Sequence, residues 1–319
     1  MNNNFLTWKS HDLRSYEDFN RQIWHSLVTN ISETLVDFQK YVDSRDNSYT
    51  QDGILFIRPT VTSTNNYGAP LKYDSSDMVY SARLSTLASL LFIYGRLEIR
   101  AKLPTGDWLW PALWLMPKEK NAYGEWPRCG EIDLMESRGN RKLIQNDTNI
   151  GAKQIGTTLH FGPARGFDGW RHAHFTKNQY NLNTEFHIYT LIWSPFGFEF
   201  YLDDDLIGTI YPPFGGFWEL GEFEKQTNFS NPWEDQSYIA PFDQYFYIIM
   251  NIAVGGISGY FPDNAENLNY KKPWKNTQPE TAREDFFKAK RSWLRSWPYM
   301  NENGEDSAMQ IDYVRLYAL

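Results

Sequence analysis

The segment YGRLEIRAKL, residues 94–103, changes polarity at nearly every step: Arg96, Glu98, Arg100 and Lys102 alternate with Leu97, Ile99, Ala101 and Leu103. Successive side chains of a strand point to opposite faces, so this period of two describes a strand with one wet and one dry face. Such strands belong to antiparallel sheets that pack by their dry faces. Related runs follow along the chain. DGILFIRPTVT (52–62) reads as one strand entered through a turn. FHIYTLIWSPFGFEFYLDDDLIGTIY (186–211) reads as three strands, broken at Ser194–Gly197 and at Asp203–Asp205. YFYIIMNIAVGG (245–256) reads as a buried strand ending in a glycine pair, and MQIDYVRLYAL (309–319) as a terminal strand. Together they predict an all-β, antiparallel architecture. One helix interrupts it, in TQPETAREDFFKAKRSWLRSW (277–297), where Thr277 and Glu280 have the spacing of a capping box. Acids precede bases along it, as the helix dipole favours, and the basic run from Lys288 to Arg295 reads as a solvated helix end. Long loops at about 62–80, 117–130, 138–156 and 211–242 are expected to gather on one rim.

All-β sandwiches can fold as one unit at 319 residues. The whole chain, 1–319, is therefore expected to form a single domain, with 1–19 an N-terminal extension or first edge strand. Aromatics reach 17%, more than a core is expected to need, and flat rings with polar tips suit stacking on sugars. The net charge of −8 repels phosphate and sulfate polymers, which argues against nucleic acid and sulfated polysaccharide and for a neutral substrate. The single cysteine, Cys129, reads as a small packing residue. The start MNNNFLTWKSHDLRSYEDF lacks the apolar block of a signal peptide, so the protein is either intracellular or secreted with its signal absent from this chain. The richest apolar stretches, LASLLFIY and YFYIIMNIAVGG, are too short to span a bilayer. Asn30, Asn146 and Asn228 sit in N-x-S/T triplets, which do not settle secretion.

Residues 126–137, WPRCGEIDLMES, hold three acids whose spacing breaks the rule of two. Strict alternation puts Glu131 and Asp133 on one face and Glu136 on the other. A β-bulge sets two residues of one strand against one of its neighbour. One extra residue at Leu134–Met135 returns Glu136 to the face of the other two. Two carboxyls on one face, one ionised and one protonated, are the equipment of a retaining glycosidase, in which the pair stands about 5–5.5 Å apart. Like charges so close separate their own pKa values.

GEIDLMESRGN resembles the signature of glycoside hydrolase family 16 in its bulged, laminarinase-like form. The resemblance runs from about residue 20 to the end, through NSYTQDGILFIRPT, YGRLEIRAKLPTGDWLWPALWLMP, NAYGEWPRCGEIDLMESRGN, TLHFGP, FYIIMNIAVGG, GYFPDNAEN and MQIDYVRLYAL. It is closest to the branch of endo-1,3-β-glucanases and β-1,3-glucan-recognition proteins. It implies a β-jelly-roll sandwich of two bent antiparallel sheets with a concave substrate cleft. It also implies Glu131 as nucleophile, Asp133 as the assisting acid and Glu136 as acid/base. Retaining hydrolysis of 1,3-β-glucan by a monomer, with no cofactor, is the expected activity. The alternatives are glucan recognition without turnover, or a related hydrolase or transglycosylase acting on mixed-linkage glucan. Recognition proteins of this branch commonly lack one or both glutamates, and this chain keeps both. Three departures stand out. Ser26 in IWHSL replaces the usual glutamate, the segment 63–80 is short and lacks paired cysteines, and Phe161 replaces the usual tryptophan. The first two leave a structural calcium unsupported and alter the non-reducing end of the cleft.

Trp110 and Trp114, four apart, share a strand face, and Trp126 lies five before Glu131. All three are candidates to stack on sugar. By resemblance, His160 stands near the acid/base, and Arg83, Asn47 and Asn251 face sugar hydroxyls. Arg138 borders the acids in sequence. His172 and His174 form an H-x-H pair without a third ligand in view, so no metal site is expected.

Overall fold

The computed structural model describes residues 6–9, 24–28, 36–62, 73–119, 122–268, 270–297 and 302–319, the first of these by backbone alone. Two large antiparallel sheets dominate. One has the order Asp205–Ile210, Gly197–Leu202, His187–Ser194, Gly95–Lys102, Met309–Tyr317, Ile54–Ile57, Ser48–Gln51, and Leu6–Lys9 pairs with Met309–Tyr317 off this path. The other has the order His174–Asn178, Gln154–His160, Glu131–Ser137, Leu109–Pro117, Phe246–Val254, Arg83–Ser85, His25–Ser26. Two three-stranded sheets flank them, and one holds the parallel pair Gln39–Tyr41 and Val79–Ser81.

The alternation of residues 94–103 is realised in the first large sheet. Leu97, Ile99 and Ala101 are fully buried, while Arg96 and Arg100 pair with Glu98 and Asp312 on the wet face. The three strands of 186–211 begin and end where the turn residues placed them. Dry faces of both sheets meet in one cluster that joins Leu97, Ile99, Leu191 and Phe200 to Leu113, Ile132, Leu159, Ile248 and Met250. Aromatics fill much of it. Trp24, Trp108, Trp193, Trp218, Trp233, Trp274, Trp293 and Trp297 are all buried, so most of the aromatic content serves the core rather than a sugar surface.

Three local expectations are corrected. The segment 52–62 is two strands, Ile54–Ile57 and Thr60–Val61, in different sheets. Pro59 between them has no N–H to donate to a ladder. The helix starts at Pro279 with Gln278 as N-cap and no side-chain capping bond, so the Thr277 box does not form. Proline favours the first helical position, and here it sets the start. The helix stops at Ala289, and the basic run is not simply solvated. Lys290 is fully buried in an ion pair with Asp77, itself 1% exposed. An uncompensated charge there would be costly, so the pair ties the next short helix, Lys290–Trp293, to the segment before Val79–Ser81.

Candidate active site

The acids lie on the strand Glu131–Ser137, between Leu109–Pro117 and Gln154–His160. Against Leu109–Pro117, Asp133 pairs with Trp114 and Met135 with Leu113, which leaves Leu134 extra. On the other side Asp133 pairs with Thr158 and Glu136 with Gly156, so Leu134 and Met135 share the place opposite Thr157. Thr157 Oγ1 donates to the Asp133 carbonyl at 2.9 Å inside this irregularity. Leu134 and Met135 both enter the core, an arrangement that regular alternation forbids. Glu136 thereby joins Glu131 and Asp133 on the face away from the core.

Each glutamate is held by an indole. Trp126 Nε1 donates to Glu131 Oε2 at 2.9 Å, and Trp110 Nε1 to Glu136 Oε1 at 2.8 Å. Trp110 is stacked flat on Tyr260, centroids 3.9 Å apart, and the Arg138 guanidinium lies 4.0 Å over the other face of this pair, on the Tyr260 ring. Arg138 also donates to the Tyr260 carbonyl. Farther along the sheet, Trp114 Nε1 donates to Asn251 Oδ1 at 2.7 Å, Asn251 Nδ2 donates to the Tyr41 hydroxyl, and Arg83 lies 4.6 Å over the Trp114 ring. His160 stands opposite Glu131 in register.

Asn47 is not among these groups. Its amide nitrogen is spent on the Arg58 and Tyr80 carbonyls and Thr60 Oγ1, where it clamps Thr60–Val61 to Val79–Ser81. His174 of the H-x-H pair bonds Thr158 Oγ1 at 2.9 Å and packs edge-on to Trp170. Ser26 donates to Asp43. Sequence reasoning did not find Tyr260 or Asp168. Asp168 touches His160 at 2.6 Å, and its only sequence signal is its place before the turn Gly169–His172, where it serves as N-cap.

Burial is the main force on the acids. It lifts Glu131 well above the usual carboxylate range, with Asp133 adding to the lift, while His160 and the Trp126 N–H oppose it. Burial and then Asp133 raise Glu136 to about 7, against the pull of His160, the Trp110 N–H and Arg138. The carboxyls interact, so their protons belong to the set rather than to single members. One ligand-type atom from each of Glu131, Asp133 and His160 lies within 4.8 Å of the others, a spacing that a metal cage also shows. A cation held there would have to break the ion pair between His160 Nε2 and Asp133. Among the described residues, no helix is long and apolar enough to cross a membrane.

The profile of glycosyl hydrolases family 16 matches residues 53–214, which include the whole acid strand. A β-1,3-glucan-binding protein of Penaeus monodon is 39% identical over 341 residues, covering 96% of this chain and 89% of that protein. A glucan endo-1,3-beta-glucosidase of Cryptopygus antarcticus is 35% identical over 221 residues, covering 69% of this chain and 70% of that one. The chain spans only 62%, 46% and 45% of three longer insect relatives. The laminarinase from Rhodothermus marinus superposes with a TM-score of 0.59 over 94% of this chain and 91% of that one, and at 24% identity the likeness is one of fold, the β-jelly-roll with its concave cleft. By sequence and by fold, this chain belongs to glycosyl hydrolase family 16.

Proposed function

We propose that the chain is a retaining endo-hydrolase of 1,3-β-glucan, acting on laminarin-type polymers. The bulge carries this reading, because it sets Glu131 and Glu136 on one face with an indole N–H on each. Glu131 attacks the anomeric carbon while Glu136 protonates the leaving oxygen. Water then resolves the glycosyl ester with Glu136 as base. Asp133, between them in sequence, is the assisting acid that holds the nucleophile in place, although its own charge opposes that of Glu131. Attack requires Glu131 ionised, and burial works against that state. His160 and the Trp126 N–H offset it. Once the ester forms, the Glu131 charge is gone, and Glu136 gives up its proton more readily for the second step. Neither step calls for a cofactor. Trp114 and Trp126, with Arg83, Asn251 and Arg138 nearby, line the path of the sugar chain. Trp110 acts through its N–H, since Tyr260 covers one of its faces. The reading extends to one catalytic domain over 1–319, working as a secreted monomer.

A second reading, glucan recognition without turnover, is favoured by the name of the Penaeus monodon relative. Both glutamates and both indole donors are present here, which favours turnover. Reducing-sugar release from laminarin, barley mixed-linkage glucan and carboxymethylcellulose, run side by side, separates the two. Laminarin should be cut fastest, and Glu136→Gln should fold yet lose about 10²–10⁴-fold in rate. Binding with no release on all three substrates would favour recognition, and a wild-type rate in the variant would sink the role of Glu136.

A further inference from the structure

His160 has carboxylates at both ends of its ring. Nδ1 is 2.6 Å from Asp168 Oδ2, and Nε2 is 3.1 Å from Asp133 Oδ2, at ion-pair distance though poorly aligned for a hydrogen bond. Asp133 belongs to the acid row, whereas Asp168 comes from the loop after the His160 strand. We propose that Asp168 is a positioning residue that locks His160 as an imidazolium, protonated at both nitrogens and hydrogen-bonded at Nδ1, whose fixed positive charge lets Glu131 hold its negative charge.

The loop is built to present that carboxylate. Gly162 turns it back so tightly that an added Cβ would sit 1.8 Å from the Phe167 carbonyl oxygen, so a side chain there would displace the loop. Gly169 N–H donates to the Phe161 carbonyl at 2.7 Å and closes the loop on the end of the strand. Asp168 divides its two oxygens. Oδ1 accepts from the Phe161 and Trp170 N–H groups, which fixes the side chain and caps the Gly169–His172 turn. Oδ2 is left to face His160. Capping alone would need only the first oxygen.

Glu131 and Asp133 face His160 from the adjacent strand, and Glu136 feels it as well. His174, on the next strand over, is held low by burial and by Arg138. Burial alone would push His160 down, yet the two aspartates outweigh it and raise the ring to about 12. His160 then stays charged across the working range. It is neither a proton acceptor nor a metal ligand in the resting site. What the row does with this charge rests on the hydrolase reading, but the lock itself does not.

Side-chain ¹H–¹⁵N spectra of the full chain, with the ring assigned by His160→Gln, test the lock without any substrate. Wild-type His160 should remain an imidazolium from about pH 5 to about pH 9, well above the ordinary histidine value of about 6.5. In Asp168→Asn it should titrate inside that window. Asp168→Ser gives a second arm, because serine can still cap the Trp170 N–H but brings no charge. In laminarin turnover, kcat should fall about 10–100-fold, the equivalent of a lost charge-assisted hydrogen bond, with KM nearly unchanged. The acidic limb of the kcat/KM profile should also move to higher pH, since the nucleophile loses its counter-charge. A wild-type ring that titrates near neutrality, or rings that stay charged in both variants, overturns the proposal. If wild type cuts no glucan, the hydrolase reading fails while the spectra still decide the lock.

Discussion

Glu136 shows how one residue is shaped by several forces at once. Burial lifts it, Asp133 lifts it further, and the Trp110 indole and Arg138 pull it back, leaving it near 7. An unfolded glutamate titrates at about 4.3. A carboxyl raised on folding contributes stability that is full below that value and lost as pH rises through about 7. Glutamine does not titrate, so Glu136→Gln should gain thermal stability on wild type as pH rises from about 5 to about 8. Calorimetry at both pH values checks this, and a gap that stays constant or shrinks contradicts it. The acids were legible in sequence because their spacing is local. Asn47 misled, because a buried amide that serves sugar and one that clamps two strands look alike in a sequence. Tyr260 was invisible because it reaches Trp110 across 150 residues and only the folded sheet brings the rings together.

The bulge is the element that decides the site, and parity makes it testable. Deleting Leu134 leaves the second glutamate four residues after Glu131, which is still the same face of a regular strand. The cost is then one buried leucine, about 2–5 kcal/mol. Inserting one alanine after Met135 instead forces a choice, because a kept bulge turns Glu136 toward the core, whereas a regular strand restores Glu136 but turns Met135 out of the core. Urea unfolding should show the insertion to be the more destabilising change, and the deletion should retain two outward-facing glutamates without expelling Met135. Equal stability and equal glucan turnover in the two variants would remove the bulge from the account. Alternation and turn residues revealed most strands, since both are written within a few residues. The helix start was misplaced because Thr277–Glu280 matches a capping box, while Pro279 at the first turn gave the competing signal that prevailed. Lys290 was misjudged because its partner Asp77 lies 213 residues away.

At the scale of the whole molecule, sheets, core and cleft divide the composition between them. The aromatic excess reads as a sugar surface in sequence, yet the structure assigns most tryptophans to the packing between sheets. Trp110, Trp114 and Trp126 are half-buried and turned toward the acid face, where their N–H groups are engaged by Glu136, Asn251 and Glu131. Composition alone has no means of dividing rings between core and cleft, because both uses reward flat apolar area. Family membership follows from sequence and fold together, but relatives of this kind include both a glucan-binding protein and a glucosidase. Chemistry must separate them. The most direct measurement is proton NMR of the anomeric signals released from laminarin in the first minutes of reaction. Double displacement through Glu131 and Glu136 predicts that the β anomer appears first and the α anomer grows only later by mutarotation. An α anomer at the start, or no new anomeric signal at all, would contradict the account.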